Sequence, residues 1–129
     1  MFFALSLFKR RNIRLNKKIK LKDREIERVW GTGILQSKPA GTKMKLSELI
    51  ELMITYSDNR ASNIIVDILG FDYINRKIKE LGCKETHLGY YFYVSPPPGV
   101  SNTTSVKDLT MFFDKLYKKQ CINPFYDSE

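Results

Sequence analysis

From Leu46 onward the apolar residues recur with a helical rhythm. Leu46, Leu49, Ile50, Met53 and Ile54 stand at i, i+3, i+4, i+7 and i+8, which puts one apolar stripe on a helix running up to Ser57. A second helix is expected over residues 59–69, where Ile64-Ile65-Val66-Asp67-Ile68-Leu69 leaves little polar surface and most of the circumference should be buried. Asp58 stands before it with a carboxylate suited to capping the first N–H groups, and Gly70 follows its end. Asp72 is the expected cap of a third helix, with Ile74, Ile78 and Leu81 facing inward and Gly82 ending it. A fourth starts at Ser105, with Asp108 at the reciprocal capping position and Leu109, Phe112, Phe113 and Leu116 as its apolar face. Short connections make these helices neighbours in space.

The chain before Leu46 is organised differently. Met1-Phe2-Phe3-Ala4-Leu5-Ser6-Leu7-Phe8 is apolar, but Lys9-Arg10-Arg11 follow the run instead of preceding it and no small-residue cleavage site comes after, which is not the order of a signal peptide. The run is too short to span a bilayer. It reads as the last turns of a buried helix ending near Asn12, without a polar lead-in, as though the helix were cut short. Lys18-Ile19-Lys20-Leu21 alternates and predicts a short strand. In Val29-Trp30-Gly31-Thr32-Gly33-Ile34-Leu35 the glycines suggest a tight turn against packed aromatic and aliphatic groups, and residues 38–43, with Pro39 and Gly41, read as a loop. Residues 86–104 hold Tyr90-Tyr91-Phe92-Tyr93 and then Ser95-Pro96-Pro97-Pro98-Gly99; the prolines exclude a regular helix, and the length suits a functional Ω-type loop.

Composition narrows the field only a little. A chain of 129 residues, 43% hydrophobic and 28% charged, makes one domain or one lobe of a larger domain. The net charge of +8 gathers early, in Lys9-Arg10-Arg11, Arg14, Lys17-Lys18, Lys20 and Lys22. Such a basic face attracts nucleic acid, anionic lipid or wall polymers through its long-range field, although most charge runs are simply solvated surface. Cys83 and Cys121 could pair or stay free, and neither has metal-ligand spacing. The single histidine, His87, has no Cys or His near it to share a metal and is expected in a loop or core. No metal or cofactor is expected, and no nucleic-acid-binding motif is present.

The candidate chemistry lies at residues 57–59. Ser57-Asp58-Asn59 falls where the first helix gives way to the second, so a hydroxyl and an amide two residues apart project into one cleft. A given tripeptide arises by chance at about 1 in 8,000 positions, so the surrounding frame matters. That frame contains a short Ile-Lys-Leu strand and Gly31-Thr32-Gly33-Ile34-Leu35-Gln36. It continues with Leu46-Ser47-Glu48-Leu49-Ile50, the run from Met53 to Asn63, Leu81-Gly82 and Asn102-Thr103-Thr104-Ser105. In this order the features resemble the class A serine β-lactamase family and its non-lactamase relatives over nearly the whole chain. Residues 46–70 are the most specific part, because the motif arrives with its helices and with Ala61 and Asn63.

The resemblance implies a role for each motif residue. Ser57 would lie beside the acyl-accepting serine and relay a proton to the departing nitrogen. Asn59 would hydrogen-bond the catalytic lysine and the substrate's side-chain amide. Asp58 would be architectural, fixing the loop through caps. The nucleophile is harder to place. Ser6-Leu7-Phe8-Lys9 has Ser-x-x-Lys spacing, but nine serines and fifteen lysines among 129 residues give about one such match by chance. It also stands too close to the Lys18–Leu21 strand; the better registration sets Met1 just after the motif, with the nucleophile upstream. Residues 86–104 lack the Glu-x-x-Leu-Asn segment that supplies the deacylating base in class A enzymes. Lys-Thr-Gly is absent too: Thr32-Gly33 is preceded by Trp30-Gly31 and not by a lysine.

The expected fold is mainly α: the helical lobe of the α+β serine β-lactamase and transpeptidase-like fold, with one or two short strands and an Ω-type loop. It would form a single partial domain over residues 1–129, with the end of a truncated helix at 1–12, the helical lobe at 46–122 and the loop at 86–104. The expected function is hydrolysis of a β-lactam or related peptidoglycan-like amide through an acyl-enzyme, weak or absent in this chain alone. The alternative is a non-catalytic module recognising wall fragments or an anionic polymer. A small-molecule substrate, a monomer, no nucleic acid and no membrane span are expected. Members of the family are typically exported, yet no export signal is visible.

Overall fold

The computed structural model describes residues 12–118. Its elements are β1 (Lys18–Lys20), β2 (Lys43–Lys45) and the helices α1 (Leu46–Thr55), α2 (Asn59–Leu69), α3 (Phe71–Glu80) and α4 (Val106–Tyr117), with single 3-10 turns at Glu25–Glu27 and Leu35–Ser37. The strands pair antiparallel, Lys18 with Lys45, Ile19 with Met44 and Lys20 with Lys43. Both strands read Lys-apolar-Lys, so Ile19 and Met44 turn together onto the core while the lysines point away. β2 takes over at Lys43, the last residue of the expected loop. The ribbon then starts α1: the Leu46 and Ser47 N–H groups, orphaned within the helix, donate to Lys17 O and Leu15 O, each at 2.9 Å.

The core forms where α1 crosses α2. Leu21, Leu35, Leu46, Leu49, Ile50, Ile64 and Leu69 are buried there, each contributing about 1.5–3 kcal/mol through removal of apolar surface from water. The stripe on α1 is rotated from its expected position. Leu52 is buried and Ile54 is exposed, because the buried arc is centred between Leu49 and Met53 and so reaches Leu52 at one edge while turning Ile54 out at the other.

Several expectations at helix ends and faces need correction. Gly70, at φ 84°, is the N-cap residue of α3; Asp72 sits inside the first turn, where its charge favours the helix N-terminus without capping it. Ser105 does cap α4, accepting from Asp108 N, but Asp108 does not reach back to it. The Asp108 carboxylate instead accepts from Glu85 N and Thr86 Oγ1, both at 2.7 Å, tying α4 to the chain that follows α3. The apolar face of α4 is largely uncovered by the described residues: Leu109 and Phe113 are both exposed. Trp30 is 82% exposed, so the glycine turn beside it does not pack against that aromatic.

Candidate active site

The motif junction is fastened from both sides. Ser57 lies at φ 50°, a left-handed conformation uncommon for a residue with a Cβ, and it turns the chain sharply out of α1. Asp58, only 1% exposed, then carries three backbone N–H groups on one carboxylate. Oδ1 accepts from Ala61 N at 2.9 Å, the N-cap bond of α2, while Oδ2 accepts from Ile34 N at 2.8 Å and Leu35 N at 2.9 Å. A buried carboxylate is tolerable when several N–H groups replace water around it. Asp58 is thus a cap and a clasp between α2 and the glycine turn.

The same turn grips the residues on either side of Asp58. Thr32 Oγ1 donates to Ser57 O at 2.8 Å, Asn59 N donates to Thr32 O at 3.2 Å, and Asn59 Nδ2 donates to Trp30 O at 3.1 Å. Such close approach explains the glycines. A Cβ on Gly33 would lie 2.5 Å from the Asp58 carboxyl, and one on Gly31 would lie 2.5 Å from Asn59 Nδ2 and 3.3 Å from the Tyr93 ring; both positions also have positive φ. With the backbone and Nδ2 engaged, the Ser57 hydroxyl and Asn59 Oδ1 have no hydrogen-bond partner among the described residues. Chemically, the junction offers one two-way hydroxyl and one free amide acceptor at fixed positions.

The loop at residues 86–104 approaches this junction under the control of three asparagines. Asn63, fully buried in α2, accepts from Phe92 N at 2.7 Å and donates to Phe92 O at 2.9 Å. Asn75 makes the same paired contact with Leu88 N and O, and Asn102 accepts from Gly89 N and Tyr90 N. Each side chain imitates the edge of a strand, giving an irregular segment the backbone partners it cannot find in itself. The ends close through a bridge between His87 and Thr103, and Tyr90 and Tyr91 pack against Phe71 at the start of α3. Tyr93, at φ 57°, brings its ring to Gly31 beside Asn59.

A set of charges underlies the turn. Glu27 is buried and accepts from Arg24 Nε at 2.7 Å and from Lys22 N at 2.9 Å, with Arg60 Nε at 3.6 Å. Arg24 also pairs with Asp67 at 2.8 Å, and Tyr91 donates its hydroxyl to the same carboxylate at 2.8 Å. Burial by itself would raise the Asp67 pKa; the hydrogen bonds from Arg24 and Tyr91 outweigh it and hold the group below its ordinary value. For Tyr91, burial first and the bond to Asp67 second push the phenol up to about 12.

The structure brings Ser57, Asp58 and Asn59 to one junction. Ser6, Lys9 and Cys121 lie outside the described residues. Cys83 is buried and free, its Sγ 3.7 Å from Asp108 O; burial, then the Asp108 charge, raise its pKa against the opposing effect of Lys115, which leaves a poor nucleophile. His87 sits in the loop bridge, and no cluster of His, Cys, Asp or Glu suited to a metal occurs among the described residues. No described helix is long and apolar enough to cross a membrane. Sequence reasoning missed Glu27, Arg60 and Tyr93. An arginine in a helix expected to be largely buried was a signal for the first pair, since a buried cation needs a buried partner.

A helix pair joined at Ser-Asp-Asn, with a long loop clasped by asparagine side chains, is the helical lobe of the serine β-lactamase fold. A profile of the beta-lactamase enzyme family matches residues 1–128, and the chain belongs to that family. It is similar to a beta-lactamase of Streptomyces albus G, 29% identical over 117 residues, covering 85% of this chain and 37% of that protein. The structure of a beta-lactamase from Sphaerobacter thermophilus shares the fold with a TM-score of 0.85 and 22% identity, over 98% of this chain and 48% of the other. PBP-A matches at a TM-score of 0.81 and 26% identity, over 98% of this chain and 47% of the other. A mutant of PBP-A, 27% identical with a TM-score of 0.80, is known as an acyl-enzyme complex with penicillin-G. The chain spans about half the length of these solved relatives, and less of the Streptomyces protein.

Proposed function

We propose that Ser57, Asp58 and Asn59 form the proton-relay and amide-binding part of a β-lactamase-like serine hydrolase site that acts on a β-lactam or a related cell-wall amide through an acyl-enzyme. The carrying observation is the junction itself: Ser57 O, the Asp58 carboxylate, Asn59 N and Asn59 Nδ2 are all tied to residues 30–35, while the Ser57 hydroxyl and Asn59 Oδ1 have no partner among the described residues. Ser57 hands a proton to the amide nitrogen as it departs, which a hydroxyl does by donating and accepting at one oxygen. Asn59 Oδ1 accepts from the N–H of the ligand's side-chain amide and fixes its orientation. Asp58 touches no substrate and positions both neighbours. Penicillin-G forms an acyl-enzyme with the PBP-A mutant, which makes a penicillin the natural first ligand.

The residues of this chain do not supply the rest of the chemistry. Neither Lys-Thr-Gly nor Glu-x-x-Leu-Asn occurs in the 129 residues, so an oxyanion-binding strand and a deacylating carboxylate have no match here. The chain alone is therefore expected to bind a penicillin weakly and turn over a chromogenic cephalosporin little or not at all. Titration with benzylpenicillin, followed by amide resonances, should perturb Asn59 and its neighbours at 30–33, and Asn59→Ala should remove the response. An unresponsive Asn59 sinks the reading. Rapid hydrolysis that Ser57→Ala abolishes would overturn the expectation of low activity, and acylation at Ser6 by labelled penicillin would identify the nucleophile within the chain.

A further inference from the structure

A cavity of about 960 Å³ opens beside the motif junction, and its lining includes Lys22, Arg28, Lys38 and Arg60 against Asp23 and Glu27. The acids are already engaged. Asp23 faces Arg28 at 3.5 Å, and Glu27 is shared between Arg24 and Arg60. Lys22 and Lys38 form no ion pair among the described residues, and their backbone atoms, not their ammonium groups, make the local hydrogen bonds. Lys22 also acts through its charge on Asp67, a carboxylate that Arg24 already pairs, so the cations around the cavity outnumber the acids and give a field that concentrates anions.

Arg60 adds an independent observation. The residue is 6% exposed, with Nη1 donating to Leu35 O and Lys38 O and Nη2 to Lys22 O, so its guanidinium is rigid. Its Nε is buried with no hydrogen-bond partner, the nearest carboxylate oxygen being Glu27 Oε1 at 3.6 Å. The group this Nε faces is thus the Glu27 carboxylate, and Arg60 contributes fixed positive charge behind the cavity wall, not a donor to a ligand. Trp30, largely exposed, lines the same space, and Gly31, which packs on Asn59, joins the cavity to the motif junction.

We propose that this cavity binds a multiply charged anion bearing carboxylate or phosphate groups, with Lys22 and Lys38 supplying the attraction and Trp30 covering one side. The site stands apart from the acyl-transfer reading and does not use Ser57 or Asn59. Two ammonium groups without an ion pair among the described residues favour oxyanions over neutral or cationic ligands.

Trp30 is the single tryptophan of the chain, so its fluorescence reports directly on this site. Pyrophosphate and citrate, titrated separately at low ionic strength, should each give a saturable change that weakens as salt is added. Lys22→Ala and Lys38→Ala should each weaken binding about three- to fivefold, and the double variant about tenfold or more, with unchanged circular dichroism because only side chains without bonds are removed. Tighter binding of pyrophosphate assigns a phosphate ligand, and tighter binding of citrate a carboxylate ligand. The proposal is overturned if neither anion gives a saturable change, if the double variant binds as well as the parent, or if neutral N-acetylglucosamine produces the same response. The double variant should keep its benzylpenicillin response at Asn59, so loss of one signal without the other identifies which of the two readings has failed.

Discussion

Helices α2 and α4 begin alike and end in opposite situations. Each is amphipathic in sequence, each starts from a side-chain cap, and each has an acid near its N-terminus tied to another segment. Ala61, Ile64, Ile65, Val66 and Leu69 of α2 are nevertheless buried, whereas Val106 and Tyr117 of α4 are more than four-fifths exposed and Phe113 is 61% exposed. An apolar stripe states which face gains by being covered; it does not state that a neighbour covers it. What distinguishes α2 is the material on both sides: α1 packs on its apolar face, and the Asp58, Arg60 and Asn63 side chains fasten residues 22–38 and 92 to its polar positions. The Ser57-Asp58-Asn59 junction is built on the better-held helix.

The contrast can be broken most forcefully at Asp58. Asp58→Ala leaves the N–H groups of Ile34, Leu35 and Ala61 without an acceptor and should cost about 3–5 kcal/mol in urea unfolding; a loss under 1 kcal/mol would show that the clasp is ornamental. Gly33→Ala drives a Cβ into the same carboxylate at positive φ and should cost about 2–4 kcal/mol, measured the same way. Asn63→Ala should cost about 2–3 kcal/mol and, more tellingly, speed hydrogen exchange at Phe92 while leaving the amides of α4 unchanged. Exchange that rises equally everywhere would contradict a local clasp.

The smaller effects lie at the surface. Asp67 has its folded pKa below the unfolded value, so its contribution is complete above about pH 5 and disappears as the pH falls through the folded value. Because the pair with Arg24 is about a third exposed, the loss should stay below about 1 kcal/mol, and it should be missing in Asp67→Asn when unfolding midpoints are compared across pH. Tyr91 has the reverse sign: its raised pKa means stability is present below about pH 10 and declines between there and 12. The smallest change is expected on α4, where Phe113→Ser should shift stability by no more than about 0.5 kcal/mol. A cost above 2 kcal/mol would mean that this face is covered after all and would erase the contrast with α2.

Local rules read the helical part of the chain well. Periodicity placed the four helices within a residue or two, Gly82 ended the third, and Asp58 and Ser105 capped the helices expected of them, because each signal acts over one or two turns of backbone. The misplaced cap at Asp72 came from the same rules: Gly70 offers the chain a conformation at positive φ that starts α3 earlier. The motif at 57–59 was legible because its order among the helices was legible. Its supports were not, since Ile34, Leu35 and Trp30 lie more than twenty residues away and their contribution is backbone, which leaves no trace in side-chain type.

By itself, then, the amino-acid sequence determined the helices, the junction between two of them, the family resemblance and the residues offered for chemistry. Only the tertiary structure decided that Asp58 holds two segments at once, that Glu27 and Arg60 form a buried pair, that Asn63 fixes the loop, and that α4 presents its apolar face uncovered by the described residues. The reason is physical. Capping and periodicity are satisfied by neighbours in sequence, whereas burial and the pairing of buried charge depend on which distant segments arrive, and that is settled only when the whole core closes.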